Sequence, residues 1–101
     1  MKIEIKPSKV KNKRFVAIFT DDNGKETSRT NFGQKNPRFG TYIDHGDKKS
    51  RKNYIARHQV REKQFYKNPK RASTLSRYIL WGDSSNIEEA IQDYKNRFKL
   101  K

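Results

Sequence analysis

Two histidines and two aspartates are the first candidates for chemistry in this sequence. Asp44, His45 and Asp47 lie in "YIDHGDKK", and His58 follows 13 residues after His45. Such side chains could bind the metal ion of a nuclease, but a catalytic metal site usually collects about three protein ligands in a fixed geometry. Here the two histidines belong to separate elements and no partner motif accompanies them. We therefore expect an aspartate that caps the following helix, a histidine at the edge of the core, and no metal ligands.

A serine nucleophile and a Gly-rich phosphate-binding loop are the second set of candidates for chemistry. Gly33 and Gly40 are seven residues apart and no Lys-Ser pair directly follows Gly40, so a Gly-rich phosphate loop is not indicated. We expect a protein that is not an enzyme, with no catalytic residues, no cofactor and no small-molecule substrate. Four serines lack a nucleophile-elbow motif, and turns and helix starts account for them: Ser73, Ser76, Ser84 and Ser85.

A run of basic residues interleaved with aromatic rings, between residues 51 and 71, is the strongest candidate. Lys and Arg neutralise phosphates and aromatic rings stack on bases, so this composition favours a polyanion-binding surface. Glu62 is the only acid in the run, and few helical partners at i+4 relieve the repulsion. The alternative is a solvated helix face whose long stems cover the core. The candidate polyanion-binding residues are Arg51, Lys52, Arg57, Arg61, Lys63, Lys67, Lys70 and Arg71, and the candidate aromatic contacts are Tyr54, Phe65 and Tyr66.

The charge of the whole chain shows the same bias. Lys and Arg number 25 against 11 Asp and Glu, a formal net charge of +14. Such a field attracts nucleic acid, anionic lipid or the acidic face of another protein, and net charge does not separate these three. The absence of cysteine excludes disulfides and thiolate metal sites. No apolar signal segment opens the chain and no run approaches the roughly 18 apolar residues of a membrane span, so we expect neither secretion by that route nor a transmembrane protein.

The length of 101 residues predicts one small basic domain. Only 31% of the residues are hydrophobic, which predicts a thin core, while the 12% that are aromatic partly compensate. The predicted fold class is α+β, with an N-terminal β-hairpin or small antiparallel sheet followed by two or three helices. Strands are expected over residues 1–33, a loop over 34–43 and the helical part over 44–101.

The strands follow from alternation and turn chemistry. In "KRFVAIFT" Phe15, Ala17 and Phe19 point one way, which is typical of a buried strand. Asn23-Gly24 after it predicts a hairpin, since both residue types tolerate positive φ. Residues 1–5 predict a further strand at an edge, which Pro7 closes. Asn36-Pro37 falls in the predicted loop.

Helical periodicity begins after the loop. In the first helix Tyr54, His58, Arg61 and Phe65 fall on one stripe. Asn68-Pro69 ends or redirects that element.

Two further helices are predicted after it. The segment "RASTLSRYILWG" predicts a helix that stops at Gly82, with Trp81 in the core. The closing helix is predicted to begin with a capping box from Ser85 to Glu88. It carries one apolar face: Ile87, Ala90, Ile91, Tyr94 and Phe98.

From about Phe32 to Phe98 the chain resembles a family of small basic proteins of unknown function encoded by large nucleocytoplasmic DNA viruses. The resemblance lies in "GTYIDHGDKKSRKNYIARHQVREK", "NPKRASTLSRYILWG" and "IEEAIQDYKNRF". It implies a viral setting, with the virion and the host cytoplasm or nucleus as locations, but supplies no activity. The partners it implies are other virion proteins or viral DNA, with an acidic lipid surface as a further possibility.

Two functions follow from the basic surface and this setting. We expect a non-enzymatic structural protein of the virus particle, of the minor capsid type, that binds acidic surfaces through its Lys/Arg-rich face. The alternative is a nucleic-acid-binding protein that contacts the phosphate backbone of viral DNA without strong sequence specificity.

Overall fold

An antiparallel sheet followed by helices makes up the computed structural model, which describes residues 1–35 and 40–101. The sheet has the strand order β1-β2-β3. The predicted α+β class is thereby confirmed, while the loop prediction at Asn36-Pro37 lies outside the described residues. The strands are β1 (Lys2–Pro7), β2 (Lys13–Thr20) and β3 (Glu26–Gln34), and the helices are α1 (Tyr42–His45), α2 (Lys48–Glu62), α3 (Ala72–Leu75) and α4 (Ile87–Phe98), with a 3₁₀ turn at Lys63–Phe65 and a π-helical segment at Ser76–Leu80 that continues α3.

The hairpin between β2 and β3 forms where the sequence predicts it. The Asp21 carboxylate accepts hydrogen bonds from the backbone N–H groups of Asn23 (2.9 Å) and Lys25 (3.0 Å). Gly24 has φ of 82°, a left-handed conformation that costs glycine little because it has no Cβ. The turn therefore rests on the Asp21 side chain and on Gly24, whereas Asn23 does not take the positive φ that its residue type would tolerate.

One hydrophobic core joins the sheet to α3, the π-helical segment and α4. The alternation in β2 buries Ala17 and Phe19 on the helix side, as predicted, and Val16 faces the other side of the sheet. The chain end also meets the sheet, because the N–H of Ile3 donates to the carbonyl of Lys101 and the N–H of Lys101 donates to that of Met1, each at 3.0 Å. No helix in the described part of the chain is both long and apolar enough to cross a bilayer.

The start of α4 differs from the predicted capping box. The carboxamide oxygen of Asn86 accepts hydrogen bonds from the N–H groups of Glu88 (2.9 Å) and Glu89 (3.1 Å), so Asn86 is the N-cap. The predicted cap at Ser85 is wrong. The helix begins one residue later than a Ser85–Glu88 box requires, and an amide oxygen on Asn86 is as good an acceptor there as a serine hydroxyl.

The orientation of α2 also differs in one position. Tyr54 and His58 face the rest of the protein and are partly buried, but Arg61 is exposed on the solvent side. The predicted stripe through Arg61 is therefore wrong, and Glu62 takes the inward place one turn after His58, with its carboxylate 3.5 Å from the His58 Nδ1. Since α2 contains no fully buried residue, it is a peripheral helix whose outer side is free to carry charge.

Candidate polyanion-binding surface

The aspartates and histidine before α2 serve the local structure. Asp47 is the N-cap of α2, and its carboxylate accepts from the N–H of Lys49 and the hydroxyl of Ser50, both at 3.0 Å. Hydrogen bonds from Ser50 and then Lys49 lower the pKa of Asp47. The Nδ1 of His45 accepts from the N–H of Asp47 at 2.9 Å. The predicted capping aspartate is thus confirmed, and His45 lies beside it at the helix start.

Asp44 forms a bidentate ion pair with Arg14 of β2. The two guanidinium nitrogens donate at 2.8 and 2.6 Å. The Arg14 hydrogen bonds, aided by those from Thr41, hold the pKa of the Asp44 carboxyl well below its usual range. Within residues 1–35 and 40–101, no three His, Asp or Glu side chains lie close enough to share a metal ion.

A stack of rings attaches α2 to the segment after the π-helical turn. Tyr54 lies 4.4 Å from Trp81 at an interplanar angle of 6°, and 4.1 Å from His58 at 23°. Both faces of the Tyr54 ring are thus occupied, and burial raises the pKa of its hydroxyl. Tyr54, a predicted aromatic contact, is not placed to stack on a ligand. Trp81 packs against the core, as predicted.

Arg51, a predicted polyanion-binding residue, points inward. Its Nε donates to the carbonyl of Gly82 at 2.6 Å and a terminal nitrogen donates to the Asp83 carboxylate at 2.8 Å. The side chain is only 24% exposed. Its charge is matched within the protein, so Arg51 holds α2 in place instead of joining an outward surface.

Two other predicted cations, and one predicted ring, lie against each other or against the sheet. The Arg71 guanidinium carbon is 3.9 Å from the centre of the Phe65 ring, a close cation–π contact that covers this ring. Lys70 is partly buried, with its Nζ 5.9 Å from the Phe19 ring. Arg71 itself stays exposed, so these contacts cover the Phe65 ring and turn Lys70 alone of the two cations toward the protein.

The remaining predicted cations form one outward surface, which we call the basic face: Lys52, Arg57, Arg61, Lys63 and Lys67. All five are exposed. In the described part of the chain the Lys and Arg side chains within 4.0 Å of a carboxylate are Lys6, Arg14, Arg29 and Arg51. The basic face is therefore not neutralised by any described carboxylate.

The basic face has two sides and an apolar residue between them. Arg57 and Arg61 are one helical turn apart, and Lys52 and Lys63, spaced by three turns, share another side. Val60 lies between these rows and is 87% exposed. The face is thus a broad solvated arc of α2 and of the turn that follows it, with one uncovered aliphatic side chain.

A cleft of about 500 Å³ lies beside the basic face, between the end of α2 and the end of α4. It contains three of the predicted residues, Lys63, Tyr66 and Lys67. Sequence reasoning missed the others, because the spacing of a regular helix did not bring Arg77 to this side and α4 was interpreted only for its core face. We call this site the aromatic–basic cleft, and its lining is Gln59, Lys63, Tyr66, Lys67, Arg77, Tyr78, Arg97 and Phe98.

The rings and cations of the cleft contact one another. The Arg97 guanidinium lies 4.0 Å from the centre of the Tyr78 ring, and that of Arg77 lies 4.9 Å from it. Burial, then the charge of Arg51, lowers the pKa of Arg77. Burial and the nearby Glu62 carboxylate raise the pKa of Tyr66 to about 12, so this hydroxyl stays protonated at neutral pH.

The segment before α3 is fixed from three sides, which positions Tyr66 and Lys67. The Thr74 hydroxyl donates to the carbonyl of Phe65 at 2.8 Å. The hydroxyl of Thr30 in β3 donates to the carbonyl of Lys70 at 2.6 Å. From α4, the Tyr94 hydroxyl donates to the carbonyl of Pro69, also at 2.6 Å. The wall of the cleft is thus tied to the core.

Comparison with known proteins gives one family. No curated protein matches the chain, and no solved structure matches it. Residues 3–58 match the family described as "Family of unknown function (DUF5754)". The match covers the sheet, α1 and α2 as far as His58, and all eight residues that line the cleft lie beyond it. Because it spans more than half of the 101 residues, the chain belongs to DUF5754, a family of unknown function.

Proposed function

We propose that this protein is a non-enzymatic binding protein whose basic face contacts the phosphate backbone of nucleic acid without strong sequence specificity. The observation that carries the proposal is the exposure of five cations that no described carboxylate neutralises. Neutralising phosphates with such cations releases condensed counterions, which supplies most of the free energy of non-specific binding. Of the two functions that the sequence left open, this one now has the better support.

The placement of the aromatic side chains also favours nucleic-acid binding over the particle-structural role. A particle-structural role would use exposed rings for contact with another protein, because salt does not screen their buried area. Tyr54 is enclosed in its stack and Phe65 is covered by Arg71. Backbone contact needs only cations, so it is unaffected by the loss of these two rings from the surface.

The minor capsid role remains a second candidate because of Val60. This side chain is 87% exposed in the middle of the basic face, and burying it against an apolar patch is favourable whereas placing it against phosphate is not. In the viral particle that the resemblance implies, the partner would be another virion protein or the acidic lipid layer.

The structural contacts of the aspartates and the histidine before α2 support the non-enzymatic part of the proposal. Asp44 is bound by Arg14, and Asp47 caps α2 with His45 hydrogen-bonded to it. Each of these side chains thus has a structural role in an ion pair or a helix cap. No step of catalysis is proposed for them.

The experiment that tests the proposal measures the affinity for a labelled DNA duplex over a series of salt concentrations. We expect the logarithm of the affinity to fall with the logarithm of salt by about 0.9 per phosphate neutralised, and Arg57→Gln or Arg61→Gln to flatten this slope by about one unit each. Lys11→Gln is the matched control, since Lys11 is exposed in the turn between β1 and β2 and outside the basic face. It should leave the slope unchanged.

A particle-structural role predicts different results. DNA binding would be weak and would disappear near about 0.15 M salt, where exposed charges are screened beyond roughly 8 Å. Retention on capsid shells would persist at that salt and would be lost in Val60→Ser. That combination would replace nucleic-acid binding by the capsid role.

A further inference from the structure

The aromatic–basic cleft differs from the basic face because it adds aromatic rings to positive charge. Its volume of about 500 Å³ lies within the range of small-ligand sites, about 300 to 1,000 Å³. A phosphate alone would not need the rings. The lining thus indicates a ligand with a planar apolar part and an anionic part.

The positive charge of the lining indicates the sign of the charge that the ligand carries. Lys63, Lys67, Arg77 and Arg97 line the cleft, and no carboxylate is among its lining residues. The carboxylate of Glu62, outside this lining, accepts a hydrogen bond from the Tyr66 hydroxyl at 3.3 Å and lies 3.5 Å from the His58 Nδ1. An anionic group therefore meets cations on several sides of the cleft.

The rings of the lining indicate the planar apolar part of the ligand. Tyr66, Tyr78 and Phe98 line the cleft together, and their centroids are 5.8 to 6.2 Å apart along this series in edge-to-face contacts. Arg97 lies over Tyr78 at 4.0 Å, and a guanidinium plane held in this way is itself a stacking surface for a base. A planar heterocycle therefore has stacking partners in this cleft.

The cleft is also held in shape before any ligand arrives. Arg77 and Tyr78 lie in the π-helical segment Ser76–Leu80, a geometry that is rare and frequently found at functional sites. The Arg77 guanidinium donates to the carbonyl of Trp81 at 2.9 Å. A positioned cation loses less conformational entropy on binding than a free one.

We propose that the aromatic–basic cleft binds an unpaired base together with its phosphate, so that the protein prefers a single strand of nucleic acid to a duplex. This inference rests on the proposed function and deepens it. Tyr66 and the Arg97 plane stack on the base, while Lys67 and Lys63 contact the phosphate. In a duplex the bases are stacked on each other and cannot enter the cleft, so a duplex reaches only the basic face.

The test compares three probes at the same salt concentration: a labelled oligothymidine strand, a duplex of equal length, and free thymidine monophosphate as competitor. We expect the single strand to bind at least about fivefold tighter than the duplex, the difference that one stacked base supplies. Free thymidine monophosphate should compete only weakly, because it lacks the phosphates that the basic face contacts.

Substitutions in the cleft separate stacking from charge. Tyr66→Leu should lower single-strand affinity at least about fivefold and leave duplex affinity unchanged. Tyr66→Phe keeps the ring and loses only the hydrogen bond to Glu62, so it should bind as the wild type does. Lys67→Gln should flatten the single-strand salt slope by about 0.7, and Lys11→Gln, with the same change in charge far from the cleft, should not. Each variant is first shown to unfold at the wild-type temperature.

Several results would overturn the inference. Equal affinity for strand and duplex, or a Tyr66→Leu variant that binds both as the wild type does, would remove the cleft from binding while the proposed function stands. Full competition by free thymidine monophosphate would assign the cleft to a mononucleotide instead of a strand. If neither strand nor duplex binds, the proposed function and this inference both fail.

Discussion

The phenol ring of Tyr54 lies parallel to the indole of Trp81, with ring centroids 4.4 Å apart and an angle of 6° between the planes. This stack joins α2 to the end of the π-helical segment. Because α2 has no fully buried residue, the stack and the hydrogen bonds of Arg51 are its principal side-chain attachments. The direction in which the basic face points therefore depends on contacts made on the opposite side of the helix.

Tyr54→Ala should destabilise the domain by about 2 to 4 kcal/mol, since it removes a ring packed on both faces. Urea unfolding gives this free energy, and the near-ultraviolet circular dichroism of Trp81, the only tryptophan, should change at the same time. Val60→Ala, at a position that is 87% exposed, should change the stability by less than about 0.5 kcal/mol. Equal stability of the two variants would contradict the importance of the stack.

Arg51→Gln should affect stability rather than binding. The substitution removes charge-assisted hydrogen bonds to Gly82 and Asp83, which are worth about 1 to 3 kcal/mol. The salt dependence of DNA affinity should stay at the wild-type slope, in contrast to Arg57→Gln. A flattened slope in a folded Arg51→Gln protein would show that this guanidinium contacts phosphate after all.

The N-cap of α4 gives a matched pair of substitutions in adjacent residues. Asn86→Ala should cost about 1 kcal/mol, because the N–H groups of Glu88 and Glu89 lose their acceptor. Ser85→Ala should cost almost nothing. Thermal unfolding of both variants decides between these two residues, and a larger loss in Ser85→Ala would restore the cap that the sequence predicted.

Acid should destabilise the protein partly through Asp44. Arg14 depresses the pKa of this carboxyl in the folded state, so its contribution is complete above the unfolded-state pKa of about 4 and is lost as the pH falls below it. Between about pH 4 and pH 2 the unfolding free energy of Asp44→Asn should therefore fall less steeply with decreasing pH than that of the wild type. The difference in slope should correspond to up to about one bound proton. Urea unfolding over this range measures the slopes.

The same ion pair supplies its own control. Arg14→Gln removes the partner that depresses the Asp44 pKa, so it should reduce the acid dependence as Asp44→Asn does. The double variant should show no further reduction, since the two residues act through one interaction. Additive effects would mean that a group other than Arg14 lowers the pKa of the Asp44 carboxyl.

Local patterns in the sequence determined the sheet and the closing helix. The alternation of "KRFVAIFT" and the Asn-Gly turn predicted β2 and its hairpin, because the two-residue period and positive φ are properties of neighbouring residues. The apolar face of α4 was predicted from its 3.6-residue period, and Tyr94 on it is 1% exposed. Only the start of α4 was misplaced, since Ser85 and Asn86 are both good caps and sequence does not choose between adjacent candidates.

The sequence also determined that a basic surface exists, but not which cations belong to it. Arg51 and Arg57 are alike in residue type and lie in the same helix. The difference between them is that Gly82 and Asp83 come within hydrogen-bond distance of Arg51 alone. That proximity arises from packing two elements that are separated by about thirty residues of chain.

The aromatic–basic cleft was decided by tertiary structure alone. Its two halves come from the end of α2 and from residues 77–98, and the π-helical segment turns Arg77 and Tyr78 to a side that regular helical spacing would not give them. Sequence patterns report which residues share a face within one element. They do not report which faces of different elements meet, because that depends on how the core packs as a whole.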